Sequence, residues 1–268
     1  MKFFIFSALI FFSSNLYCQE KDTIQLNEIT DSIDLSSMQA RIYNFDLLAP
    51  SIPLISFAQG LYMPSTKIWF YKLKDSSITI RNFAISHFDS SLYILLDDKK
   101  SIYLINLKKE SEVTQNQANL LKLKREYNYS VYPIGRLQYY LVMQDTLSEV
   151  FYGNNAKNVK VLTTRDTLRS FIAIDSTSFI ICYKQNAYLY RTGENAVLLF
   201  NSTFPIYSVA FSIDNVPYIS TAIGVFKISK HFQAEIINSQ IQDGLLKCFQ
   251  DHLYILSNKT KKIYRIRL

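Results

Sequence analysis

The chain has 268 residues, 49% hydrophobic, 15% aromatic and 19% charged, with 29 Lys and Arg against 22 Asp and Glu for a formal charge of +7. That much apolar surface excludes a disordered chain, and only six Gly and six Pro exclude collagen-like or linker-like polymers. At roughly 150 residues per domain the length suits one or two domains, and all-β chains of this size commonly form one.

The first segment reads as a targeting signal rather than as structure. Met1 and Lys2 give a short positive start, Phe3 to Phe12 is almost wholly apolar, and Leu16-Tyr17-Cys18 precedes Gln19-Glu20. This predicts a signal peptide over 1–18 and export to the periplasm or cell surface. The apolar run is about half of the ~20 residues needed to cross a bilayer, and no later stretch approaches that length, so no transmembrane segment is expected. Lipid anchoring at Cys18 is the alternative, against which Tyr17 stands where the lipoprotein motif wants a small residue. Cleavage leaves Cys182 and Cys248 inside apolar strand-like runs, which predicts buried free thiols rather than a disulfide framework.

Residues 19–48 form an acidic arm, with Glu20, Asp22, Glu28, Asp31, Asp34 and Asp46 against Lys21 and Arg41. Two runs in it could be strands, Thr23 to Ile29 and Ile42 to Leu48. From about Pro53 onward the chain is a succession of short runs rich in Ile, Val, Leu, Tyr and Phe, separated by polar clusters. One stretch, Glu112 to Lys124, partly suits a helix face and equally suits a long loop.

The runs recur. Leu92-Tyr93-Ile94-Leu95, a polar turn Asp97 to Lys100 and Ile102 to Ile105 are echoed by Leu253-Tyr254-Ile255-Leu256, Asn258 to Lys261 and Ile263 to Ile266. Weaker copies lie between, and a further one is Leu61-Tyr62-Met63 with Ile68 to Leu73. Taking Tyr62, Tyr93, Tyr139, Ile180, Tyr218 and Tyr254 as equivalent gives spacings of 31, 46, 41, 38 and 36 residues. Periods near 40 with four short strands each indicate propeller blades, most simply six, with five or seven also compatible. The last unit stops after its third strand at Leu268, so an N-terminal strand is expected to fill the edge. The acidic arm complements the basic residues from Lys259 onward, at roughly 0.2 to 1 kcal/mol per cross-strand pair. The expected organisation is therefore a signal peptide (1–18), an arm with the ring-closing strand (19–48) and an all-β propeller (49–268).

Val209-Ala210-Phe211, Val216 to Thr221 and Gly224-Val225-Phe226-Lys227-Ile228 together resemble the blade of six- and seven-bladed β-propellers, particularly the sensor-type propellers of exported Bacteroidota proteins. The resemblance covers about 53 to 268. The usual turn Gly and repeated Trp are mostly missing, since Trp69 is the only Trp, and Asn and Asp are expected to supply the left-handed turns instead. The start Gln19-Glu20 and the wealth of Ile, Lys, Asn, Phe and Tyr are similar to exported Bacteroidota proteins as well. Five Asp-Ser/Thr tripeptides resemble the O-glycosylation acceptors of that phylum, which implies modification at Thr23, Ser32, Thr146, Thr167 and Ser176.

The sequence shows no catalytic, metal or cofactor pattern. His87, His231 and His252 come from different repeats without metal-ligand spacing, and no Gly-rich phosphate cradle exists. Asp97-Asp98, followed by Lys99-Lys100, reads as a solvated turn. Export argues against nucleic acid as the partner of the basic surface, leaving another envelope protein or an acidic glycan. Propellers present their second-to-third-strand turns and inter-blade connections around one mouth of the channel. On that basis Lys67, Arg125, Arg165, Arg169 and Lys259 are the expected ligand contacts. Three functional classes follow: a non-catalytic interaction or scaffold module, a glycan- or small-ligand-binding sensor, and a lyase or glycosidase built from carboxylates or His converging from separate blades.

Overall fold

A strand buried on both faces cannot show the alternation of a half-solvated one, and the continuous apolar runs of this sequence are such strands. The computed structural model describes residues 29–38, 40–73, 79–87, 90–96, 102–106, 128–135, 138–154 and 157–268. The expected signal peptide (1–18), the candidate helix Glu112 to Lys124, the turn Asp97 to Lys100 and Arg125 lie outside the described residues. Among those described there is no helix, so none is long and apolar enough to cross a membrane.

After β1 (Ile29–Asp34), the first sheet comprises β2 (Asn44–Ala49), β3 (Ile52–Phe57), β4 (Gly60–Met63) and β5 (Ile68–Lys72). A three-stranded sheet follows, of β6 (Ile80–Ser86), β7 (Ser91–Leu96) and β8 (Ile102–Asn106). The third comprises β9 (Asn128–Gly135), β10 (Gln138–Gln144), β11 (Ser148–Asn154) and β12 (Lys157–Thr164). The fourth comprises β13 (Ser170–Ala173), β14 (Ser178–Cys182), β15 (Asn186–Arg191) and β16 (Val197–Asn201). The fifth comprises β17 (Ile206–Phe211), β18 (Pro217–Thr221), β19 (Gly224–Ile228) and β20 (Ala234–Asn238). The last is β21 (Gly244–Phe249), β22 (His252–Ser257) and β23 (Lys262–Arg267), with β1 hydrogen-bonded outside β23. All pairings are antiparallel.

The second strand of each sheet carries a run of at least four buried residues, and consecutive residues on it face opposite neighbours. Ile181 packs with Tyr140 and Val142 of the third sheet, whereas Ile180 packs with Val209 and Ile219 of the fifth. Tyr218 faces Leu253 and Ile255 of the last sheet. Tyr254 and Leu256 in turn pack with Phe45, Ile55 and Phe57 of the first. Leu54 faces the second sheet's Phe83 and Ile94, and Tyr93 faces the third sheet's Tyr139. Each sheet thus buries two apolar faces, which only a neighbour on either side can cover.

Small polar side chains tie the first strands together at a repeating offset. Asn44 Nδ2 donates to the carbonyl of Phe83, and Asp46 accepts from the Ile85 N–H; both partners are 39 residues on. The Val209 N–H donates to Ser170 Oγ, 39 residues away, and the Leu246 N–H to Ser208 Oγ, 38 away. These bonds satisfy backbone groups on the first strands, three N–H donors and one carbonyl, that the strand ladder leaves free.

Two expectations are corrected here. The strand beside β23 is Ile29–Asp34, not Ile42 to Leu48; of the other candidate, Thr23 to Ile29, only Ile29 lies within the described residues, and it opens this strand. Its Thr-Asp-Ser-Ile-Asp content hid it, since only Ile29 and Ile33 are even partly buried. Asn44–Ala49 is instead the first strand of the first sheet, because Phe45 and Leu47 are fully buried there. The expected charge complementarity holds for β1: Asp31 lies 3.5 Å from Arg265, and Asp34 sits opposite Lys262. The second correction concerns turns. Among described residues, left-handed backbone occurs at Asn215 and Asp243 but also at Ser51, Lys67, Ser90, Phe232, Gln250 and Lys261, so Asn and Asp replace Gly only in part.

Cys182 and Cys248 are free thiols. Burial pushes the Cys182 thiol up, and that of Cys248 up to about 12, which leaves them inert.

Candidate interaction face and central channel

The second-to-third-strand turns lean on the connections that follow their sheets, and hydrogen bonds mark each meeting. Gln144 Nε2 donates to the Leu168 carbonyl at 2.7 Å, and Gln185 Nε2 to the Thr203 carbonyl at 2.9 Å. The Asp243 N–H donates to the Thr221 carbonyl at 3.4 Å, and the Leu35 N–H to the Lys261 carbonyl at 2.8 Å. In the first sheet the corresponding bond runs from the Ile80 N–H to the Ala58 carbonyl at 3.2 Å.

That last bond shows where the sequence reading slipped. The second-to-third turn of the first sheet is Ala58-Gln59, and Pro64 to Lys67 joins its third and fourth strands. Lys67 therefore lies at the opposite end of the sheets from Arg165, Arg169 and Lys259. Read as second and third strands, Leu61 to Met63 and Ile68 to Leu73 are one strand late, because β3, β4 and β5 are three successive short apolar runs. Arg165 and Arg169 sit exposed on the connection from β12 to β13, and Lys259 on the turn between β22 and β23, all at the expected mouth. Among the described residues none of the three has an acidic partner.

Sequence reasoning missed the aromatic residues between these cations. Tyr43 is 40% exposed, Phe204 41% and Tyr207 37%, and Leu147 on the β10–β11 turn is 40% exposed. All four belong to the same mouth. Their strand-like surroundings disguised them, and only the polar Asn201-Ser202-Thr203 before Phe204 hinted at exposure.

The first strands β2, β6, β9, β13, β17 and β21 all contribute to a channel cavity of about 280 Å³, with Asn44, Asn82, Ser130, Arg169, Tyr207 and Lys247 among its polar lining. Deeper in, Asp46 is buried, accepts the N–H groups of Leu47 and Ile85, and lies 3.6 Å from Lys247 Nζ. These bonds hold the carboxylate as a structural tie between strands. Beyond it, the His87 ring packs edge-on to Phe249 at 4.9 Å, and burial holds the imidazole below its usual range against the opposing pull of Asp46. Among the described residues no three His, Cys, Asp or Glu side chains gather as a metal site would require.

His87 makes a testable contribution. Its folded pKa lies below the 6.5 of the free group, so the unfolded chain binds the extra proton first and stability falls as pH drops through that value. His87→Gln is expected to flatten this part of the stability profile between pH 7.5 and 5.5, measured by urea denaturation; an unchanged slope would show that His87 does not contribute.

Ser32, Thr146, Thr167 and Ser176 are all exposed, and Thr23 lies outside the described residues.

No family model and no curated protein matches the chain. Solved structures do. A putative gluconolactonase superposes with TM-score 0.65 at 9% identity over 91% of this chain and 94% of its own. Virginiamycin B lyase from Staphylococcus aureus gives 0.60 at 9% identity over 89% and 98%. The WD40 β-propeller domain of Doa1 gives 0.60 at 10% identity over 89% and 96%. Identities this low carry the fold alone. The chain is an all-β protein forming a single β-propeller.

Proposed function

We propose that the protein is an exported, non-catalytic propeller that docks a protein partner in the cell envelope through the mouth formed by its second-to-third-strand turns. In this reading the three-stranded sheet is the sixth blade and β1 closes the ring, which the packing of the last sheet on the first supports. The observation that carries the docking role is the pairing of exposed Tyr43, Phe204 and Tyr207 with Arg165 and Arg169 at one mouth. Aromatic and Arg side chains supply most of the energy of protein interfaces, and the uncompensated cations favour a partner with acidic surface.

Affinity isolation from envelope fractions tests this. The wild-type protein is expected to recover one dominant partner, and the Tyr43→Ala/Phe204→Ala double variant to lose it, with binding weakened roughly 10- to 100-fold. A lone monomer under gentle solubilisation, or equal recovery by both proteins, would refute the docking role.

A further inference from the structure

Beside the mouth, at the outer end of the seam between the third and fourth sheets, lies a cleft of about 600 Å³. We propose that it binds an acidic saccharide, a chain segment carrying uronate or a comparable carboxylated sugar. The cleft borders the docking face and shares Arg169 with it, but its aromatic wall includes neither Tyr43 nor Phe204, and the proposal does not rest on the docking reading.

One wall is aromatic. Tyr183, Tyr188 and Tyr190 stand partly exposed on β15 and at the end of β14, with the rings of Tyr183 and Tyr188 edge to face at 5.8 Å. The hydroxyls of Tyr183 and Tyr190 lie 3.4 Å apart. Tyr190 is backed by Phe179, stacked at 5.4 Å and 8°. Such rings present flat apolar faces to the C–H side of a sugar and hydroxyls to its rim, a mixture that suits neither an apolar ligand nor a bare anion.

The other wall is polar and carries net positive charge. Arg169 and Lys184 are exposed there without an acidic partner among the described residues, and Asp166 and Thr167 line the same cleft. Guanidinium and ammonium groups fit a carboxylated sugar, while Asp166 and the Thr167 hydroxyl can take its hydroxyl protons. The volume falls within the roughly 300–1,000 Å³ of small-ligand sites.

The wall is also built in advance. Ser148 Oγ donates to the Asp166 carbonyl at 2.9 Å, the Asp166 N–H to Thr164 Oγ1 at 3.1 Å, and the Arg169 N–H to the Cys182 carbonyl at 2.7 Å. A connection fixed at three points loses little freedom when a ligand arrives.

Titration calorimetry with a galacturonate tetrasaccharide, and with cellotetraose as the neutral control, decides the matter. The acidic sugar is expected to bind and the neutral one to bind at least about tenfold more weakly, since charge-assisted hydrogen bonds supply the difference. Arg169→Gln, Lys184→Gln and Tyr188→Ala should each weaken binding about tenfold, the first two, at exposed positions, leaving the melting temperature unchanged. The Tyr43→Ala/Phe204→Ala protein should bind the sugar normally, which separates this site from the docking face. No binding of the acidic sugar, equal binding of both sugars, or full affinity in the Arg169 and Lys184 variants would each overturn the proposal.

Discussion

Deletion of residues 1–34 is expected to lower the melting temperature by roughly 6–12 °C, the equivalent of about 3 kcal/mol for a domain of this size, and to make the protein prone to aggregate. The strand removed is mostly exposed, so the loss does not come from its own side chains alone. Ile29 and Ile33 are the only residues of β1 that pack inward. What they cover matters more: Ile263 and Ile266 of β23 are 1% and 0% exposed, and both join the clusters on either side of the last sheet. Without β1, the row from Lys262 to Arg267 loses its hydrogen-bonding partner and becomes an open edge, a template for another chain. The deletion also frees the Lys261 carbonyl by loosening Leu35, which is itself 1% exposed in the cluster joining the last sheet to the first. Charge is the smaller share. The Asp31–Arg265 pair is half exposed at 3.5 Å, so Arg265→Ala should cost well under 1 kcal/mol by comparison. An unchanged melting temperature in the deletion would show that β1 does not complete the fold.

The repeat was readable because two of its copies keep a second strand whose every residue is buried. Ser91–Leu96 and Ser178–Cys182 are such strands, and their unbroken apolar character survives in any window. Phase was harder to read than period. Leu61-Tyr62-Met63 with Ile68 to Lys72 looks like a second-to-third-strand hairpin, yet Ile52–Phe57 occupies the second place, and Lys67 was assigned to the wrong end as a result. The residues that fix the phase are not apolar at all. Asn44 and Asn82 are 38 apart, as are Ser170 and Ser208, and each stands on a first strand beside the channel. A small polar residue recurring at the blade period inside an apolar run marks the innermost strand, because the channel leaves backbone groups there that only a short side chain can reach. At the candidate site, the cations were visible as charge in polar connections. Tyr188 and Tyr190 were visible only as strand residues, since which of two alternating faces reaches solvent depends on how far the neighbouring sheet extends.

Tyr140 offers the sharpest test of the packing between those two sheets. Its ring is fully buried, 5.6 Å from Tyr152, 5.6 Å from Phe171 and 5.2 Å from Phe179, at the centre of the cluster that joins the third and fourth sheets. Tyr140→Ala removes those contacts and leaves a void that flanking strands cannot close, so it should cost about 3–5 kcal/mol. The hydroxyl behaves differently. It is buried without a hydrogen-bond partner among the described residues, and burial raises its pKa well above the ordinary phenol range. A donor taken out of water and left unpaired costs about 1–3 kcal/mol, which the ring's packing must outweigh in the native protein. Tyr140→Phe keeps the ring and deletes the penalty, so it is expected to raise stability by up to about 1 kcal/mol in urea denaturation, opposite in sign to the alanine variant. A phenylalanine variant less stable than wild type would mean that the hydroxyl is bonded after all, and the seam beneath the saccharide cleft would then hold a polar contact rather than aromatic packing alone.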